Sequence, residues 1–150
     1  MNIEKLWIQA VIKLMDQELK EEERGRILEK CGRGCAFGCG MIEKIRKAVR
    51  NSQDPDEVFQ KLQSPDLFGT RIFKGENCFY TVCEHCLCPY VKDNIADTPG
   101  SYCECTKGWT QQVFETAFGR PAKVEIEQTI IRGDQYCKMK TWFPSEVIAK

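Results

Sequence analysis

The apolar residues Ile3, Leu6, Trp7, Ala10, Val11, Leu14, Met15 and Leu19 recur at three- and four-residue steps, the period of one face of an α-helix. An amphipathic helix is therefore expected over about residues 3–23, with Glu21-Glu22-Glu23 as a solvated run at its end. A second helical pattern runs through Ile27, Cys31, Cys35, Met41, Ile42, Ile45 and Val49, interrupted by Gly32, Gly34, Gly38 and Gly40. Glycine costs about 1 kcal/mol against alanine inside a helix, so this stretch either breaks near 32–40 or packs very closely. Asp54-Pro55-Asp56-Glu57 combines an aspartate N-cap, a proline at the first helical position and a glutamate two residues after it, a strong helix start. That helix covers Val58, Phe59 and Leu62 and stops before Ser64-Pro65.

The period then changes. Arg71–Lys74 and Cys78–Val82 flank Gly75-Glu76-Asn77 and read as a β-hairpin. Residues 83–105 are rich in cysteine and read as loop. Helix returns at about 106–118, where Trp109, Val113 and Ala117 share a face and Gly119 suits a helix end. Finally, Val124, Ile126, Gln128 and Ile130 alternate with Glu125, Glu127, Thr129 and Ile131, and Gly133-Asp134 suits a two-residue type II′ turn. With that turn Ile130 faces Cys137, Gln128 faces Met139, Ile126 faces Thr141 and Val124 faces Phe143 on the core side, while Glu127 faces Lys140 on the other. The fold class is α+β: an N-terminal helical segment, 1–69, then an α+β hairpin segment, 70–150, forming one compact domain. The helix of 106–118 packs on the sheet's inner face. Trp7, Trp109, Trp142 and the eight phenylalanines are assigned to the core.

Composition narrows the function. Lys+Arg and Asp+Glu are both 22, so the basic excess that phosphate neutralisation demands is missing and a nucleic-acid partner is not expected. No run approaches the roughly 20 apolar residues of a membrane span. The opening Met1-Asn2-Ile3-Glu4-Lys5 is not a secretory signal, which points to a cytoplasmic protein with reduced thiols. In that setting the 10 cysteines are read first as metal ligands or nucleophiles.

The main constellation is Cys83-x2-Cys86-x-Cys88 followed, after 14 residues, by Cys103-x-Cys105. Two close thiol pairs on a loop can converge on one tetrahedral ion, and zinc suits compact thiolate sites. Cys-x-Cys is less specific than the usual Cys-x2-Cys. The competing reading is that each thiol is a small buried hydrophobe. A third makes Cys105 a nucleophile, its pKa lowered at a helix start, with His85, the sole histidine, as base. Cys31-x3-Cys35-x3-Cys39 and Gly34-x3-Gly38 read as small residues for close helix packing, ahead of an iron–sulfur or second metal site. Cys137, facing Ile130, is a core residue and a candidate ligand if the cluster overlies the sheet.

From residue 88 onward the order Cys88-Pro89, Tyr102-Cys103-Glu104-Cys105, Gly108-Trp109, Phe114-Glu115, Phe118-Gly119, Pro121, Val124-Glu125 and Ile130-Ile131-Arg132-Gly133-Asp134-Gln135-Tyr136-Cys137 resembles two related groups. They are the L-2-amino-thiazoline-4-carboxylic acid hydrolase-like proteins and the 4-vinyl reductase-like small-molecule-binding domains. The resemblance covers about residues 70–143. It implies an α+β domain, often a homodimer, with a small-molecule pocket between sheet and helices. Some such sensing domains hold zinc through cysteines and a glutamate beside an aromatic ligand. Carried over, the resemblance makes Cys105 and Cys137 ligands, with Cys88 and Cys103 able to complete the shell and Glu125 or Glu127 as the glutamate. Thr129 stands where that pattern expects a further cysteine. The full candidate ligand set is Cys86, Cys88, Cys103, Cys105 and Cys137. The expected function is a small-molecule-binding or sensing domain with a cysteine-bound zinc. The alternative is a hydrolase acting on a cyclic imine or amide through a thiol or metal-bound water.

Overall fold

Each N-terminal helix is bounded by the chemistry of its ends. A computed structural model describes residues 2–67 and 70–145. The Asn2 carboxamide oxygen accepts a hydrogen bond from the Glu4 N–H at 2.8 Å and opens α1 (Ile3–Glu18). The helix ends at Glu18, five residues short of the expected 3–23, and the chain becomes extended at Leu19. Glu21, Glu22 and Glu23 belong to the first turn of α2 (Glu21–Gly38), where negative charge meets the positive end of the helix dipole. The Glu23 carboxylate also accepts the Lys20 N–H at 3.3 Å. Of the two options for the glycine-rich stretch, close packing holds at Gly32, and the helix runs on unbroken through Gly34. The break comes at Gly40, with φ of +80°, before α3 (Met41–Val49). α4 (Pro55–Leu62) starts as its sequence predicts, the Asp54 carboxylate accepting the Glu57 N–H at 2.9 Å.

β1 (Arg71–Gly75) and β2 (Cys78–Cys83) form the first hairpin, β3 (Lys123–Gln128) and β4 (Cys137–Trp142) the second. They join as one antiparallel sheet in the order β1-β2-β4-β3. The second hairpin turns differently from expectation. Ile130–Arg132 winds into a short 3-10 turn and Gly133, with φ of +97°, ends it, so a wider loop replaces the two-residue turn. The register moves by two residues: Val124 pairs with Thr141, Ile126 with Met139 and Glu125 with Lys140. A two-residue shift keeps each side chain on its face, so Val124, Ile126 and Cys137 keep the inward side. An irregularity between Ile126 and Gln128 turns Gln128 out, opposite Lys138. Glu127 ion-pairs with Lys138 at 3.1 Å, in place of the expected Lys140.

α5 (Cys103–Phe118) lies across the inner face and ends at Gly119 in the left-handed conformation. The first core combines Ala36, Ile42, Ile45, Val58, Leu62 and Ile72 with Val113, Phe114, Ala117 and Ala122. It draws on both halves of the chain, and residue 69, where the two segments were expected to meet, lies outside the described residues. Phe79 anchors an aromatic group with Phe59, Phe114, Phe118 and Phe143 at centroid separations of 5.5, 5.7, 5.2 and 6.1 Å. The second core packs Ile12, Leu28, Val91 and Tyr102. Not every aromatic is inside: Trp7, Phe37 and Phe73 are exposed, and Trp142 lies on the outer sheet face, with Lys140 over its ring at 5.8 Å. Among the described residues no helix is long and apolar enough to cross a membrane.

Candidate functional site

The cysteines of the mid-chain segment meet the first turn of α5, and that turn separates them. The helix begins at Cys103, three residues earlier than expected. Residues two apart on a helix point about 200° apart, so Cys103 and Cys105 leave the axis on opposite sides. Cys103 is influenced by Cys86 and Cys137, and Cys137 directly opposes Cys83 across β2 and β4. Burial acts most on Cys105, followed by its sulfur neighbours Cys35, Cys88, Cys31 and, last, Cys103. The candidate ligands thus form two neighbourhoods, Cys103 and Cys137 in one and Cys88 and Cys105 in the other, with Cys86 bordering both, acted on by Cys88 and by Cys137.

Neither neighbourhood is a metal centre. Among the described residues no group of three or more His, Cys, Asp or Glu side chains can hold a metal ion. The expected cysteine-bound zinc, and with it the zinc-dependent sensing domain and the metal-bound water of the hydrolase alternative, are overturned. The thiols have apolar neighbours instead. Cys86, Cys88 and Cys105 pack against Ile12, Leu28, Val91 and Tyr102, and the Cys88 sulfur lies 3.2 Å from the Tyr102 hydroxyl. All ten cysteines are free.

The nucleophile reading meets a second obstacle. Burial pushes the Cys105 thiol up to about 12, and its sulfur neighbours push the same way. Burial likewise pushes Cys103 to about 11 despite a hydrogen bond with Thr129, and Cys83 to about 12 with Cys137 and Cys86 adding to it. Desolvation therefore outweighs the helix dipole that was expected to activate Cys105. His85 is not among the groups acting on Cys105; it lines a shallow recess with Arg71, Val82, Glu84 and Leu87.

Cys31 and Cys35 on α2, and Cys39 just past its end, are exposed. Close packing of this helix uses other small residues: Gly32 and Ala36 face inward, whereas Gly34 and Gly38 meet nothing.

The outer sheet face offers room for a partner. Pairing aligns Arg71, Val82, Lys138 and Gln128 in one row across all four strands, and Phe73, Tyr80, Lys140 and Glu125 in the next. With Tyr136, the whole first row and Phe73 and Tyr80 of the second line an open recess of about 480 Å³. Two cations stand over aromatic rings here, Arg71 over Phe73 at 5.6 Å and Lys138 over Tyr80 at 4.6 Å. Arg71 also pairs with Glu84 at 3.0 Å. The inner face, between sheet and α5, is filled by the aromatic group around Phe79. Sequence reading overlooked this outer site because it needs the β2–β4 pairing, which joins strands 54 residues apart from Cys83 to Cys137. The signal available was the alternation of Arg71 with Phe73 and of Lys138 with Lys140.

No curated protein matches the chain. A family model matches residues 1–148, and the chain belongs to that family, DUF6144, described as a family of unknown function.

Proposed function

We propose that the protein binds a planar, anionic small molecule, of the aromatic carboxylate class, on the outer face of its sheet. The observation that carries this reading is the row Arg71–Val82–Lys138–Gln128 beneath the 480 Å³ recess. Arg71 and Lys138 flank the apolar Val82, an arrangement suited to a carboxylate above the strand between them. Tyr80, Phe73 and Tyr136 offer ring faces and edges to a planar body. In the free protein both cations lean on carboxylates, Glu84 and Glu127, and a ligand carboxylate would replace solvent-exposed pairs worth little by themselves. The resemblance to 4-vinyl reductase-like domains supports the aromatic class of ligand, although the inner pocket that it implies is filled here by phenylalanines.

Thermal unfolding against a panel of benzoate, indole and heteroaryl carboxylates tests the reading. A ligand at a hundredfold excess over Kd adds about 2.7 kcal/mol, a rise in Tm of roughly 5–10 °C for a chain of this size. Lys138→Glu should abolish that rise. A panel that moves nothing would overturn the proposal, as would a shift that survives Lys138→Glu, or one produced only by a short single-stranded oligonucleotide.

A homodimer is a second part of the reading, favoured by α1. Ile3, Leu6, Trp7 and Leu14 lie within an arc of about 100° on the helix, with Ile3 78% and Trp7 69% exposed. Ile8, Ile12 and Met15 on the opposite side pack into the second core. An amphipathic helix needs only one apolar face to dock on its own domain; the other is left for a second copy.

A further inference from the structure

Cys83 and Cys137 stand directly opposite each other on neighbouring antiparallel strands. Cys83 is the last residue of β2 and Cys137 the first of β4. Both side chains share the parity of Phe79, Thr81, Met139 and Thr141 and so project from the inner side of the sheet. Each thiol is free and only partly buried. Directly opposed residues have Cβ atoms about 4.5–5.5 Å apart, and a disulfide needs about 3.5–4.5 Å. The pair closes the sheet, with irregular chain beginning at Glu84 on one side and ending at Tyr136 on the other, so the strand ends can supply the missing ångström without disturbing the rest of the ladder.

We infer that Cys83 and Cys137 are a redox-active dithiol that closes to a cross-strand disulfide at the expense of a low-molecular-weight disulfide such as oxidised glutathione. Cys137, whose sulfur accepts the Ile130 N–H at 3.5 Å, attacks as thiolate a sulfur of the reagent, forming a mixed disulfide and expelling one thiolate, which takes up a proton. The second cysteine loses its proton, attacks the protein sulfur of the mixed disulfide and expels the second reagent thiol. Two electrons pass from the protein pair to the reagent, one sulfur–sulfur bond forms as another breaks, and two thiols are released for two consumed. Other thiols are less well matched. Cys137 acts on both Cys86 and Cys103, and Cys86 acts on Cys103, but neither Cys86 nor Cys103 faces a cysteine across a strand ladder. Cys78, on β2, projects from the opposite face, where it pairs with Gly75.

The test is peptide mapping of the full chain after equilibration in glutathione buffers of graded potential, with free thiols blocked before digestion at Lys and Arg. Cys137 falls alone in peptide 133–138, and Cys83 shares peptide 75–92 with Cys78, Cys86 and Cys88. The expected result is a linked 75–92/133–138 species, 2 mass units lighter than the two reduced peptides together. It should persist in Cys86→Ser and Cys88→Ser and vanish in Cys83→Ser. Should Cys83→Ser fail to fold, fragment ions of the linked species from the Cys86→Ser/Cys88→Ser double variant assign the bond to Cys83 or Cys78. No link at any potential in folded protein overturns the inference, as does a link that survives Cys83→Ser or maps to another cysteine.

Discussion

Gly32 of α2 lies so close to Cys105 of α5 that a Cβ on Gly32 would stand 1.7 Å from the Cys105 carbonyl oxygen. Gly108 returns the relationship, a Cβ there meeting the Glu29 carbonyl oxygen at 1.9 Å. The two backbones touch because neither glycine has a side chain, and this contact holds Cys105 against α2. Both obstacles are backbone and cannot swing aside. Gly32→Ala and Gly108→Ala should each cost about 3 kcal/mol or more in urea unfolding, at or beyond the upper end of ordinary overpacking. Gly34→Ala, on the same helix with nothing within 4 Å, should be neutral or stabilise by about 0.5–1 kcal/mol.

Arg33 of α2 grips Glu115 of α5 with hydrogen bonds of 2.7 and 3.2 Å, and the Ala122 N–H donates to the same carboxylate at 3.1 Å. Partial burial alone would raise the Glu115 pKa, but these bonds and the guanidinium charge outweigh it, and the carboxyl titrates below its ordinary range. The stability it confers is therefore complete above the unfolded carboxyl pKa and disappears as pH falls through the lower folded value. Glu115→Gln should lose about 1–2 kcal/mol at pH 7. Urea unfolding from pH 7 down to pH 2 should show the wild-type and Glu115→Gln curves converging in acid.

Cys83, Cys103 and Cys105 make the opposite prediction at high pH. Their folded pKa values, about 12, 11 and 12, exceed the unfolded value, so their contribution is intact below about pH 8.5 and is lost as the unfolded thiols ionise above it. Stability should fall from about pH 8.5 upward toward the folded values of about 11–12, and Cys105→Ala should make that fall shallower. The same burial predicts that iodoacetamide at pH 7.5 modifies exposed Cys31 and Cys39 at least tenfold faster than Cys103 or Cys105, read by peptide mass mapping.

Trp7 offers the test of association. If α1 pairs with a second copy, light scattering after gel filtration should give twice the chain mass for the wild type and the chain mass for Trp7→Glu/Leu14→Glu. Far-UV circular dichroism should be unchanged, because neither side chain contributes to the second core. A monomeric wild type would remove the homodimer.

Asp54 tests a feature already readable in the primary structure. Its carboxylate caps α4 through the Glu57 N–H, so Asp54→Ala should cost about 1 kcal/mol, measured as a lower urea midpoint with unchanged slope.

Much of the fold was legible because its signals are local. The Asp54-Pro55-Asp56-Glu57 cap, Gly119 at the end of α5 and the inward set Val124 and Ile126 depend on residues within one turn or one strand. The errors were also local in origin. Two helices were joined across Leu19, where no proline or glycine marks the break. The Gly133-Asp134 turn was taken as tight although Thr129 holds it wider, its N–H donating to the Asp134 carboxylate at 2.8 Å and its hydroxyl accepting from Arg132 N–H at 3.1 Å.

For the candidate site the division is sharper. The order of residues alone determined the α+β class, the start and end of α4, the end of α5 at Gly119, and the inward set Val124 and Ile126 of the second hairpin, because backbone hydrogen bonding and side-chain period act over a few residues. It also crowded cysteines into the middle of the chain. Whether those sulfurs converge was decided by two tertiary facts, the start of α5 at Cys103 and the crossing of α2 at Gly32. A helix turns successive side chains by a fixed angle, so Cys103 and Cys105, adjacent in a list of cysteines, look in opposite directions once the helix includes them both. The row Arg71–Val82–Lys138–Gln128 exists only in the assembled sheet, since no local rule states which strands will be neighbours.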